Sequence, residues 1–166
     1  PDLLRRRARG VAIGLLLDRL LGEPPTPVHP VAWFGTAMGA LERRVWADDR
    51  ARGVGYTTTG VLLGLAAGRA TPGLAVPVAV ACAGRALREA SRVVEDDLAR
   101  GDLDAARHDL RSLAGRDART LDASGISAAV VESLAENSVD AVVAPAFWAL
   151  VAGAPGVLAH RAVNTM

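Results

Sequence analysis

Apolar residues in this chain come in short blocks closed off by arginine, and that alternation constrains the fold more than any single motif. The blocks are 11–21, 31–41, 53–68, 73–84 and 139–158. They account for most of a composition that is 51% hydrophobic and still 22% charged. Such content excludes a disordered chain. The first two blocks are about 11 residues each, short of the ~20 that a helix needs to cross a bilayer. Between them lies Gly22-Glu23-Pro24-Pro25-Thr26-Pro27-Val28-His29-Pro30, a rigid proline-set turn. Arg5, Arg6, Arg7 and Arg9 precede the first block, and Arg43, Arg44, Arg50 and Arg52 follow the second. Arginine flanks mark the cytoplasmic side. The expectation is a re-entrant hairpin whose two ends return to one side, its backbone buried in protein or lining a wet cavity.

No strand-period alternation appears. The predicted class is all-α: a multi-pass integral membrane protein with a re-entrant hairpin and a cytoplasmic helical segment. Residues 1–84 read as apolar hairpins, 85–123 as a water-compatible helical hairpin, and 124–166 as a helix running into a membrane segment. Gly60, Gly64 and Gly68 fall on one helix face, the small-residue pattern that lets membrane helices approach closely. Leu87, Val94 and Leu98 keep helical spacing, as do Leu103, Ala106, Leu110 and Leu113 after an N-cap at Asp102.

Several function classes fall away on composition. Net charge is +1, so no basic field points to nucleic acid. The single cysteine, Cys82, rules out an internal disulfide and a multi-thiolate zinc site within these residues. All 19 basic residues are arginine, so neither a phosphate-loop lysine nor a Schiff-base lysine is present.

Three groups of residues can carry chemistry. Glu132, Glu136 and Asp140 recur every four residues, and at roughly 100° per residue they span about 80° of one helix face, extended by Ser133 and Asn137. Like charges so placed destabilise a helix by ~0.2–0.5 kcal/mol per pair. The cost grows where the face meets the apolar block that follows. Cations must compensate: arginines, a bound metal at Glu132 and Glu136, or a cationic substrate group. A solvated face is the competing reading. Arg107, Arg111, Arg116 and Arg119, with Asp117, form the second group. The planar guanidinium fork suits phosphate, and pairing with Asp102, Asp104 and Asp109 is the alternative. Asp18 and His29, across the proline turn, form the third.

In this order the motifs resemble the adenosylcobinamide-phosphate synthase family of cobalamin biosynthesis, multi-pass membrane proteins. The matching elements are Asp18, Gly22-Glu23-Pro24, His29-Pro30, Gly101-Asp102-Leu103 with Ala106-Arg107, and Gly115-Arg116-Asp117. Glu132-Ser133, Glu136-Asn137 and Asp140 with Ala144-Pro145 follow, then Asn164-Thr165. The resemblance covers the family's N-terminal half, which normally continues into an Asp-Ser-Met element and further membrane helices. Glu23 stands where the family has Asp, Ala118 where Thr is usual, and Ala141 where Gly is usual.

The resemblance implies a ligase that forms an amide between a propionate of adenosylcobyric acid and (R)-1-aminopropan-2-ol O-phosphate. Mg²⁺ and ATP are implied by that reaction class, though no nucleotide motif is seen. It assigns catalysis to Glu132, Glu136, Asp140 and His29, and substrate binding to Arg107, Arg116, Asp117, Asn137 and Asn164. The expected location is the cell membrane with a cytoplasmic active face. A non-catalytic sensor and a transporter on the same scaffold are the competing classes.

Overall fold

A computed structural model describes residues 2–115 and 117–166. Among these the chain is all-helical. The helices are α1 (Asp2–Leu21), α2 (Pro30–Val45), α3 (Arg50–Ala70), α4 (Ala75–Ala81), α5 (Gly84–Ala99), α6 (Leu103–Asp109), α7 (Ala123–Ser138) and α8 (Ala144–Thr165). A turn of π-helix, Val139–Val143, joins α7 to α8.

Taken end to end, Ala123–Thr165 is the one described stretch long and apolar enough to cross a membrane. It does not run straight. Gly153 sits at φ 68 and ψ −155, outside helical geometry. Arg161 and Asn164 line the same cavity as Asp140 and Ala141, whereas about 20 residues of unbroken helix would hold such groups ~30 Å apart. The backbone of Gly156 lies against Trp148 and Ala152. α8 is therefore two arms folded back on each other at Gly153.

The break leaves backbone carbonyls to satisfy. Pro155 has no N–H to return to Val151, and the non-helical Gly153 disturbs the turn at Leu150. Arg7 of α1 donates to both carbonyls, at 2.9 Å to Leu150 and 2.7 Å to Val151. A tight reversal thus exists, but at Gly153 and not in the proline turn. α1 and α2 make next to no contact with each other; both pack on α8. The expected hairpin of residues 11–41 is absent because α1 is 20 residues long, recruits the N-terminal arginines, and finds its partners in α4 and α8.

Two of the flanking arginines are used inside the fold. Arg7 lies at the Gly153 reversal. Arg85, at the start of α5, donates to the Leu20 carbonyl at the other end of α1. The arginine-rich start of α1 and the segment 85–123 therefore sit at opposite ends of that helix.

The glycine ladder of α3 behaves as expected. Gly60, Gly64 and Gly68 are all buried. A methyl group on Gly64 would come within 2.7 Å of the Leu158 carbonyl, and one on Gly68 within 2.5 Å of the Ala154 carbonyl. Gly60 faces Met166, so α3 runs antiparallel to the second arm of α8. Val11, Val78, Ala81, Cys82, Ala149 and Val157 form the core of this bundle.

A second core serves the segment 85–123: Val94, Ala106, Leu110, Leu113 and Ala118 close on Ile126 and Ala129 of α7. The predicted cap at Asp102 holds, its carboxylate accepting from Ala105 N–H at 3.0 Å, and Asp122 caps α7 in the same way, accepting from Gly125 N–H at 2.8 Å. Asp18 ties the two cores together. It is buried, and its Oδ2 accepts from the Arg85 backbone N–H at 3.2 Å, capping α5 from another helix.

Candidate functional site

The residues singled out in the sequence separate into two neighbouring cavities, a third beside them, and an exposed face. The first cavity, about 360 Å³, holds Asn137, Asp140 and Asn164, together with Arg161 and Ser112. The π-turn explains why Asp140 is there. Widening the helix at Val139–Val143 breaks the strict four-residue register, so Asp140 no longer follows Glu132 and Glu136 as a straight α-helix requires. Glu132 and Glu136 lie exposed on α7 and line none of the cavities described here. The expectation of one converging three-carboxylate face is corrected accordingly. Among the described residues no group of three or more His, Cys, Asp or Glu side chains is arranged to hold a metal ion.

Asn137 is fixed by Ser133. Its Nδ2 donates to the Ser133 carbonyl and to Ser133 Oγ, both at 2.9 Å, and Ser133 Oγ donates in turn to the Leu113 carbonyl at 2.6 Å. With both amide hydrogens committed, Asn137 has only its carbonyl oxygen to offer a ligand.

The second cavity, about 750 Å³, carries Arg107, Arg111 and Arg119 with His108, Asp104 and Asp117. Arg107 is half-engaged: its Nη1 meets Asp104 at 2.9 Å and its Nε donates to the Leu121 carbonyl at 2.9 Å. Asp117 pairs with Arg119 through bonds of 2.7 to 3.1 Å. That pairing holds the Asp117 carboxyl down at about 2 from 3.8. A depressed folded-state value means the pair's contribution is complete above pH 3.8 and is lost only as pH falls through about 2. The ordinary aspartate pairing weighed for this cluster is thus real for Arg107 and Arg119, while Arg111 still opens on the same cavity. Arg116 lies outside the described residues.

The two cavities share a wall. Arg111 and Ala114 face the arginine side, and Ser112 and Leu113 face the Asp140 side.

His29 is placed elsewhere. It is buried, at φ −81 and ψ 115, extended as its flanking prolines require. Its Nδ1 accepts from Val31 N–H at 3.2 Å, capping α2, and its Nε2 lies 3.6 Å from Glu23. It opens on a third cavity with Glu23, Thr26 and Arg161. His29 therefore lies in a cavity that Glu132 and Glu136 do not line, and Asp18, grouped with it in the sequence, gives its carboxylate to α5. His29→Ala should cost about 0.5–2 kcal/mol, the value of an N-cap, and His29→Asn should restore most of it. Chemical denaturation of the purified protein reads both; equal stability of His29→Ala and the parent would remove the capping role.

Sequence reasoning missed Arg161, which lines the first and third cavities. A signal was present: His160-Arg161 is a pair of polar residues closing a long apolar block, where an ionisable group is a functional candidate by default.

Comparison with known proteins adds lineage. The model of the family described as CobD/Cbib protein matches residues 11–166. The chain is 44% identical over 171 residues to the cobalamin biosynthesis protein CobD of Mycobacterium tuberculosis strain H37Rv, covering 96% of this chain and 54% of that protein. The proteins of the same name from Chromobacterium violaceum and Klebsiella pneumoniae are 41% and 36% identical, each match covering 93% of this chain and 54% of the relative. The chain thus spans about half the length of the curated relatives it matches. No solved structure matches it.

Proposed function

This chain belongs to the CobD/Cbib protein family, and from that premise we propose that it carries part of the site of a cobalamin-pathway amide ligase. The reaction joins a propionate carboxylate of adenosylcobyric acid to the amine of (R)-1-aminopropan-2-ol O-phosphate. The observation that carries this reading is the shared wall between an arginine cavity and a carboxylate cavity. A small molecule with a phosphate at one end and an ammonium at the other needs that combination. Arg107, Arg111 and Arg119 suit the phosphate. Asp140 and the Asn137 carbonyl oxygen suit the ammonium, and Asp140 takes its proton as the amine attacks.

Activating a free carboxylate calls for ATP with Mg²⁺, which supplies the phosphoryl group that makes the carboxylate oxygen a leaving group. Mg²⁺ takes one or two protein carboxylates beside nucleotide phosphates, and Glu132 and Glu136, four residues apart on an exposed helix face, fit that donor set.

Placement in the cell membrane as a multi-pass protein is part of the same proposal. Leu16 and Leu20 of α1, Leu62 and Leu63 of α3, and Phe147 and Val151 of α8 are each more than half exposed, more apolar surface than a water-facing bundle tolerates. The cavities open where the water-compatible segment 85–123 packs, which favours a cytoplasmic active face.

The test is formation of the corrinoid amide by the full-length protein in detergent, given adenosylcobyric acid, aminopropanol phosphate and MgATP and read by mass spectrometry. No product from active-folded protein rejects the reading. Arg111→Ala, which removes a guanidinium that makes no hydrogen bond among the described residues and acts on Asp117 only through its charge, should raise KM for aminopropanol phosphate about 10- to 100-fold with kcat nearly unchanged. An unchanged KM would take the phosphate out of this cavity.

A further inference from the structure

Arg161 is an arginine whose buried Nε finds no acceptor among the described residues. Arg161 lies on the second arm of α8, partly buried, in the apolar bundle. Its side chain makes no hydrogen bond or ion pair among the described residues, and its Nε is buried with nothing to donate to. Acidic groups are near: Asp140 shares one of its cavities and Glu23 another, yet neither closes to an ion pair. Its buried Nε gives up solvation without a compensating hydrogen bond, which costs free energy unless a ligand supplies an acceptor.

The cavity it shares with Asp140 has two poles. Asp140 and the Asn137 carbonyl oxygen accept hydrogen bonds; Arg161 donates them. A site so built suits two reactants of opposite charge that must meet. The ligand at the arginine pole is a carboxylate and not a phosphate for two reasons. Asp140 in the same cavity repels a dianion more than a monoanion, and the three arginines assigned above to the phosphate lie across the wall of residues 111–114.

We propose that Arg161 holds the carboxylate that becomes the acyl half of the new amide, opposite the amine at Asp140. This deepens the ligase reading and rests on it. In the balanced step, a nucleoside triphosphate transfers its terminal phosphoryl group to the carboxylate oxygen. The amine, having given a proton to Asp140, forms the C–N bond, and the C–O bond breaks with departure of inorganic phosphate. Arg161 orients the carboxylate and offsets its charge throughout.

The experiment measures equilibrium binding to the full-length protein in detergent, with two corrinoids as probes: cobyric acid, bearing the free propionate, and its primary amide. Wild type should prefer the acid by about tenfold or more, the scale of one charge-assisted hydrogen-bonded pair. Arg161→Met should lose that preference while binding aminopropanol phosphate as wild type does, which also reports that it is folded. Arg161→Lys should recover part of the preference, so the idea survives on that variant if Arg161→Met does not fold.

Wild-type preference in Arg161→Met, or no preference at all in a folded Arg161→Lys, overturns the assignment. So does inorganic phosphate displacing cobyric acid from wild type but not from Arg161→Met, which would make this a phosphate site. Wild type that binds corrinoid without preferring the acid sinks this inference alone. Wild type that binds neither corrinoid nor aminopropanol phosphate sinks the ligase reading and this inference with it.

Discussion

Gly68→Val should fail to hold the two arms of α8 in place. The new side chain would start 2.5 Å from the Ala154 carbonyl and the Pro155 nitrogen, and the obstructing atoms are backbone. Nothing nearby can rotate away, so α3 must back off from the reversal at Gly153. Overpacking of this kind costs typically ~1–3 kcal/mol and occasionally more, and a rigid backbone contact belongs at the upper end. Gly55→Val is the control on the same helix, because a side chain there meets nothing within 4 Å. In detergent, Gly68→Val should show a much lower Tm, while Gly55→Val stays within about 0.5 kcal/mol of the parent. Equal melting of the two variants would mean that α3 does not clamp α8.

The second large effect is chemical and separates two carboxylates that look equivalent in sequence. Asp140→Asn keeps size and removes the acceptor of the ammonium proton, so turnover of the full-length protein should fall by about 10²- to 10⁴-fold. Glu136→Gln is an exposed change outside the cavities. Its effect should be confined to the Mg²⁺ dependence: more metal is needed for half-maximal rate, with turnover at saturating Mg²⁺ close to wild type. A Glu136→Gln protein as dead as Asp140→Asn would return the catalytic centre to α7; a fully active Asp140→Asn would remove the base.

Local features were legible in the sequence where one residue decides them. Asp102 caps its helix, Gly60, Gly64 and Gly68 share a buried face, and Leu103, Ala106, Leu110 and Leu113 keep one stripe, because spacing and side-chain chemistry suffice. The grouping of Asn137, Asp140 and Asn164 into one cavity was partly legible, from motifs bracketing an apolar block. The path of that block was not. Nothing local distinguishes a glycine that ends a helix from one inside it: Gly153 is met by Arg7 of α1, and Gly156 by Trp148 and Ala152 from the other arm of α8. The π-turn was invisible for the same reason: helical spacing of three carboxylates assumes an unbroken α-helix. Nor could the arginine flanks announce that Arg7 is spent on the Leu150 and Val151 carbonyls.

The reversal at Gly153 carries a consequence for the order of synthesis. As it leaves the ribosome, 123–165 is by length and composition apolar enough to cross a membrane. What bends it is made earlier: Arg7 in α1 donates to the loose carbonyls, and Gly68 in α3 leaves room for Pro155. The N-terminal helices therefore act as a mould that exists before the piece it shapes. A chain in which α8 were produced first, by circular permutation, should trap it as a straight span, whereas separately expressed 1–84 and 85–166 should assemble only when the first is already present.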